Sequence, residues 1–150
     1  TIICTVCTLD RLNHLRSLYE IKKVFSLVSL FTEEGGIFVF DVNTLYKHKK
    51  VLGNNAFIYE NGDALCAWQN SLDGDTVNIE LDFFAEADNG LYGRYSESFS
   101  ERAYELCDIE DALTEAGFEI IGIYDGYDNS PISDNSQRAV FAARKGRKNG

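Results

Sequence analysis

Gly35-Gly36-Ile37-Phe38-Val39-Phe40-Asp41-Val42-Asn43 is the stretch on which the fold turns. Four apolar residues in a row, with no polar alternation, describe a strand buried on both faces. Upstream, Thr1-Ile2-Ile3-Cys4-Thr5-Val6 is a second short run rich in β-branched residues, with no turn or cap before it. A helix lies between them. Ser17 and Glu20 form a capping box, S-x-x-E. Leu18, Ile21, Val24, Phe25, Val28 and Phe31 recur at helical spacing and give one wide apolar face. Gly35-Gly36 is expected to end that helix and turn the chain into the strand. Strand, helix, strand make a parallel βαβ unit. Thr1 would then lie inside a buried strand. The chain contains no methionine. The expectation is the C-terminal part of a longer α/β protein.

After Asn43, residues Leu45 to Leu52 read as a short basic helix carrying Tyr46, Lys47, His48, Lys49 and Lys50, ended by Gly53-Asn54-Asn55. The character then changes. Asn61-Gly62, Asp73-Gly74 and Asn89-Gly90 are hairpin dipeptides that suit type I′ turns. They separate four strands, near 56–60, 64–71, 76–85 and 91–100. Val77, Ile79, Leu81 and Phe83 alternate with Asn78, Glu80 and Asp82, as a strand with one wet face requires. This segment reads as an antiparallel four-stranded meander. A helix capped by Asp108 follows, with Ile109, Ala112, Leu113 and Ala116 on one face and Gly117 as its stop. A strand at 118–124, a polar loop at 125–137 and a strand at 138–143 close the chain. The division is residues 1–52 and 103–150 as the α/β core, with 53–102 inserted as a lid, substrate wall or oligomerisation subdomain.

A chain of 150 residues is one domain's worth. An apolar fraction of 45%, with 10 Phe and 8 Tyr, argues against disorder. Net charge is −10. Without the terminal Arg144, Lys145, Arg147 and Lys148 the body stands at about −14, a field that repels phosphate backbones and argues against nucleic acid. No apolar run approaches the roughly 20 residues needed to span a membrane. Cys4 and Cys7 have CxxC spacing along a strand, where they point to opposite faces. With Cys66 and Cys107 they are expected to be buried, reduced thiols of a cytoplasmic protein, with no metal site.

Three stretches together resemble the second half of a class I S-adenosylmethionine-dependent methyltransferase. Cys7-Thr8-Leu9-Asp10-Arg11-Leu12-Asn13-His14-Leu15 is similar to the segment after strand 4 of a bacterial small-molecule group, C-x-C-D-S-L-N-Y-L. Glu34 to Thr44 is similar to that group's strand-5 motif, P-G-G-x-F-x-F-D-x-N-T. Leu113-Thr114-Glu115-Ala116-Gly117-Phe118-Glu119 resembles the entry to strand 6. Arg11 stands where serine is usual, and Glu34 where proline is usual. The resemblance implies a partial Rossmann-like methyltransferase sheet, strands 4, 5, 7 and 6, with the β-meander inserted and the last strand antiparallel between the second and third. It implies methyl transfer from S-adenosylmethionine to a small-molecule substrate. The family's glycine-rich cofactor turn and ribose-binding acid are not found in this sequence, so the chain alone is expected not to bind the cofactor.

In an open α/β sheet, ligands sit beyond the carboxyl ends of the strands. That places Cys7, Thr8, Leu9 and Asn13 as candidate cofactor contacts. Asp41, Asn43, Tyr46, Lys47 and Trp68 are candidate substrate contacts. His14 is the candidate base, since imidazole titrates near neutrality. Asn13 either orients a ligand or makes a turn. Asp41 either binds ligand or caps a turn, and Trp68 either stacks on substrate or fills a core. One rival reading is a non-catalytic remnant that acts as an oligomerising module through its open strand edge or meander. A nicotinamide dehydrogenase fragment is weaker, because the second strand runs into an antiparallel insertion.

Overall fold

The computed structural model describes residues 2–87 and 89–147. The readings of Thr1 in a buried strand and of Lys148 in the basic tail fall outside the described residues. β1 (Ile2–Cys7) leads through a single 3₁₀ turn at Arg11–His14 into α1 (Leu18–Phe31) and then β2 (Thr32–Asn43). A π-type turn at Lys47–Leu52 precedes β3 (Ala56–Asn61), β4 (Ala64–Asp73), β5 (Thr76–Glu86) and β6 (Tyr92–Arg102). α2 (Leu106–Glu115), β7 (Phe118–Asp125), the two-residue β8 (Ser130–Pro131) and β9 (Arg138–Lys145) complete the chain.

Two sheets result. The first has the order β1-β2-β9-β7-β8, the second β3-β4-β5-β6. β1 and β2 are parallel, while β9 lies antiparallel between β2 and β7, as expected. Ala139, Phe141 and Ala143 alternate on its inner face and are fully buried, as a central strand requires. Phe25 from α1 packs on Phe38 and Phe40, and Phe40 stacks on Phe141 with ring centroids 5.0 Å apart. Ile109 and Leu113 from α2 join the same core. The meander has a smaller one, in which Val77 and Ile79 pack with Leu52 from the π-type turn.

Several local expectations are corrected. α1 ends at Phe31, and β2 begins at once with Thr32, whose hydroxyl donates to the Val28 carbonyl at 2.7 Å. The glycine pair therefore lies inside β2, not at the helix end. Pairing steps from Ile2 opposite Thr32 to Cys4 opposite Ile37, so residues 33–36 bulge out of the ladder. Gly35 takes φ +78°, and a Cβ on Gly36 would stand 2.7 Å from the Thr32 methyl and 2.9 Å from the Glu33 carbonyl. In the first two hairpins Asn61 and Asp73 are the last paired residues, so Gly62-Asp63 and Gly74-Asp75 form the loops. Glycine first with positive φ belongs to the type II′ turn, not type I′. α2 is preceded by Glu105, and Asp108 sits inside its first turn without a capping bond.

Burial differs as well. β1 is an edge strand, and Ile3 at 72% and Val6 at 62% exposure are not core residues. Cys4 and Cys107 are exposed, and Cys7 and Cys66 only half-buried, against the expected burial of all four. No helix among the described residues is long and apolar enough to cross a membrane.

Gly36→Ala tests the bulge. Two of the crowding atoms are backbone oxygens that cannot rotate away. The expected loss is about 1–3 kcal/mol, as for other overpacked sites. Urea unfolding of the variant reads it; a loss below 0.5 kcal/mol would show that the bulge accepts a side chain, by the ordinary scatter of surface substitutions of about that size.

Candidate functional site

Leu9 and Asp10 follow β1 and both adopt positive φ, 63° and 52°. Bulky residues in that region are strained unless the surroundings hold them. Asp41, on the neighbouring strand, does so. Its carboxylate accepts from the Asp10 amide at 2.8 Å and the Leu9 amide at 3.2 Å. It also accepts from Arg138 Nη1 at 2.6 Å and from the Tyr127 hydroxyl. Burial alone would push Asp41 up. The bonds from Tyr127, Asp10 and Arg138 outweigh it and hold the carboxyl below its ordinary value. The same bond pushes the Tyr127 phenol up. Asp41 thus holds the turn after β1, not the turn that follows Asp41 itself.

Asn43 is the next joint. Its Nδ2 donates to Asp10 Oδ2 at 2.8 Å and to Glu101 Oε2 at 3.0 Å, and its Oδ1 accepts from Lys47 Nζ at 2.8 Å. Asn13 is fully buried. Its Oδ1 accepts from the Asn43 amide at 2.8 Å, and its Nδ2 donates to the carbonyls of Asn43 at 3.1 Å and Arg102 at 2.9 Å. That side chain is spent on backbone and holds the Arg11–His14 turn to the ends of β2 and β6. Lys47 is half-buried. Burial and the charge of Arg138 push it down, against the pull of Asp10, Glu101 and Asp41, and the net direction is downward.

Glu101, from β6, is 6% exposed. Burial pushes its carboxyl up, but His48 and Asn43 hold it below the ordinary value, with His14 adding to them. His48 is fully buried; its Nδ1 lies 3.2 Å from the Asp75 carbonyl and its Nε2 lies 3.7 Å from Glu101 Oε2. His48 Nε2 has no hydrogen-bond partner among the described residues. His14 has a 40% exposed side chain, with Nε2 4.0 Å from Glu101 Oε1 and its ring 5.5 Å from that of Phe99. A cleft of about 260 Å³ lies here, lined by Asn13, His14, Thr76, Ser100, Glu101 and Arg102 among others. A second, of about 550 Å³, shares His14, Arg16 and Ser100 with it.

The sequence candidates separate into three groups. Asn13, His14, Asp41, Asn43 and Lys47 come together, with half-buried Tyr46 next to Lys47 in the chain. Cys7, Thr8 and Leu9 lie along the β1 end. There the Cys7 thiol is pushed up by burial and then by the charge of Asp41, and Thr8 and Leu9 are exposed. Trp68 does not join them; it packs with Phe57 and Tyr59 in the meander cluster. For a cofactor such as S-adenosylmethionine, Thr8 and Leu9 offer one exposed wall. The Leu9 and Asp10 amides are already taken by Asp41, so they cannot cradle a carboxylate. The fit is that of part of a cofactor site. Asp10, His48, Glu101, Tyr127 and Arg138 were not singled out as site residues. Glu101 shares the alternation of Phe99 with Glu97, so the sequence pattern of β6 does not set it apart.

No family model matches the chain. A protein of Geobacillus sp. (strain WCH70) named as a methyltransferase is 30% identical over 145 residues, covering 95% of this chain and 58% of that protein. YqeM of Bacillus subtilis (strain 168), also named as a methyltransferase, is 26% identical over 137 residues, covering 91% of this chain and 56% of its own. The crystal structure of an S-adenosylmethionine-dependent methyltransferase from Clostridium acetobutylicum ATCC 824 superposes with a TM-score of 0.89 at 34% identity, covering 97% of this chain and 58% of that one. The chain thus spans a little over half the length of the relatives it matches, consistent with the C-terminal portion that its motifs imply.

Asp41→Asn is expected to cost about 3 kcal/mol at pH 7, the low end for a broken buried pair because Arg138 keeps some solvent. The stabilisation from the depressed Asp41 carboxyl is complete above the ordinary carboxylate range and is lost as pH falls through its lowered folded value. Urea midpoints measured down the acid range should therefore fall in the parent and fall less steeply in the variant. Parallel curves would mean that Asp41 carries no such linkage.

Proposed function

We propose that this chain, whose fold and sequence resemble those of bacterial S-adenosylmethionine-dependent methyltransferases, forms the acceptor side of such an enzyme acting on a small molecule. The observation that carries the reading is the cleft between the 3₁₀ turn after β1 and the meander, with His14 and Glu101 side by side on its wall. The cofactor, when bound, supplies the methyl group as a sulfonium. Cys7, Thr8 and Leu9 line its edge. His14, half-exposed, takes the proton that an acceptor releases and passes it to water. Asp41, Asn43 and Asn13 position the turn and the cleft, while Tyr46 and Lys47 close its Asn43 side. Residues 53–102 act as a subdomain that walls the acceptor, with Trp68 in its packing. On this reading the protein works in the cytoplasm and uses neither nucleic acid nor membrane.

A second reading, an oligomerising module without catalysis, is supported by the exposed Ile2, Ile3 and Val6 on the β1 edge. An unpaired edge of that kind invites pairing with another chain. We extend the first reading to include it: two copies meet through β1 or the meander.

Three measurements test these statements. Calorimetry of the 150-residue chain with S-adenosylmethionine is expected to show no saturable heat at micromolar protein. Saturable micromolar binding would place the whole cofactor site within this chain. In the protein that carries this chain, His14→Ala should lower labelled methyl transfer by about 10²–10⁴-fold, the usual worth of a general base. An unchanged rate removes His14 from the chemistry. Light scattering over a concentration series should rise above the 16.9 kDa monomer; a constant monomer mass rules out self-pairing.

A further inference from the structure

We propose that Glu101 is the acceptor-binding carboxylate of the cleft, and that the acceptor it takes is a basic amine held as a cation through Oε1. The inference rests on the methyltransferase reading for its consequence, but its geometry stands alone. Oε2 of Glu101 is occupied by Asn43 Nδ2 and faces His48. Oε1 makes no hydrogen bond to any described residue; Glu101 lines the cleft, and His14 Nε2 stands 4.0 Å from Oε1. A carboxylate that is more than nine-tenths buried and keeps one oxygen free of protein donors can accept from a ligand that reaches it. An ammonium supplies the strongest match, since charge-assisted hydrogen bonds are about twice as strong as neutral ones.

The neighbouring charges allow it. Arg102 is turned into the wall, with Nη1 on the Arg16 carbonyl at 3.0 Å and its guanidinium 5.5 Å from the Tyr104 ring. Arg16 is exposed at the rim. The chain as a whole carries −10 and draws cations toward its clefts. A space of about 260 Å³, lined also by Thr76 and Ser100, holds a small polar molecule. An anionic acceptor would place a second negative charge against Glu101, and a neutral one would form a weaker hydrogen bond to it than an ammonium does. Before reaction the bound ammonium gives up one proton through His14 to solvent. The nitrogen lone pair then forms the N–C bond while the C–S bond breaks and leaves its electron pair on sulfur.

The test is an NMR titration of the 150-residue chain with 3-aminopropan-1-ol, beside the neutral 1,3-propanediol and the anionic 3-hydroxypropanoate. The amine should shift the His14, Ser100 and Glu101 amides saturably, and the other two should not. Glu101→Gln should weaken the amine at least tenfold, while Glu119→Gln, exposed on β7, should leave it unchanged. Should Glu101→Gln lose its dispersed spectrum, intermolecular NOEs in the parent decide: the amine methylene protons should contact the Glu101 γ protons and the His14 ring. Equal binding of the diol or the anion, no binding of the amine, or a bound amine without those NOEs would each overturn the inference. Methyl transfer to a neutral or anionic acceptor would overturn it while leaving the methyltransferase reading intact. Amine binding at Glu101 without methyl transfer would keep the site and remove that reading.

Discussion

The Asp41 carboxylate is the constraint on which the site depends. Two consecutive residues without the freedom of glycine, Leu9 and Asp10, sit at positive φ. Each costs on the order of 1–2 kcal/mol against the ordinary backbone region. The two amides donated to Asp41 offset that strain, and Arg138 and Tyr127 neutralise and cover the charge. One side chain on β2 thereby fixes the chain leaving β1, the start of β9 and the loop after β7. Once that turn is set, Asp10 presents its own carboxylate to Asn43, and the network passes through Asn43 to Glu101 in the other sheet.

Asn13 solves a separate problem of the same region. The ladder between β1 and β2 ends at Cys7 opposite Phe40, yet β2 continues to Asn43. The amide and carbonyl of Asn43 then point to a side where no strand remains. A buried backbone group left unpaired there would cost about as much as a lost hydrogen bond. The Asn13 side chain offers an oxygen to one and a nitrogen to the other, and so imitates the missing strand. Its remaining hydrogen reaches the Arg102 carbonyl at the end of β6, tying the meander to the core. Every polar atom of this side chain is used, which explains a fully buried asparagine beside a cleft.

The parts of the fold legible in the sequence are those that obey a period. The apolar runs at 2–6 and 37–40, the helical face from Leu18 to Phe31 and the alternation from Val77 to Phe83 each specify an element without reference to anything distant. Glycine misled the reading because its role depends on partners. Gly35-Gly36 follows a helix in sequence, but the space it provides is against Thr32 and Ile3 within a parallel ladder. The site was legible in the same proportion. Asp41 and Asn43 stand at a strand end, where α/β sheets bind ligands. Glu101, His48 and Arg138 come from elements far along the chain, and only pairing registers bring them beside Asp10 and Asn43. Val77 lies opposite Glu101 in the meander and Leu81 opposite Glu97, so two charges share one alternation of β6 and only the buried one belongs to the network. Alternation alone does not tell them apart.

β1 belongs to two surfaces at once. Its carboxyl end carries Thr8 and Leu9 into the proposed cofactor wall, while its free edge leaves Ile2, Ile3 and Val6 in solvent. Leu27, Leu30 and Phe31 along α1 are exposed as well, although the opposite face of that helix is buried in the core. A strand of six residues is about 20 Å long, so an element that pairs along this edge and covers its side chains ends within reach of Leu9. On the proposed reading, covering the edge and completing the cofactor wall are therefore one structural event. The acceptor cleft needs no such completion, because its walls come from Arg11–His14 and the meander, already joined through Asn13 and Asn43. On the proposed reading, acceptor recognition would thus rest on walls internal to this chain, and cofactor binding on the covering of the β1 edge.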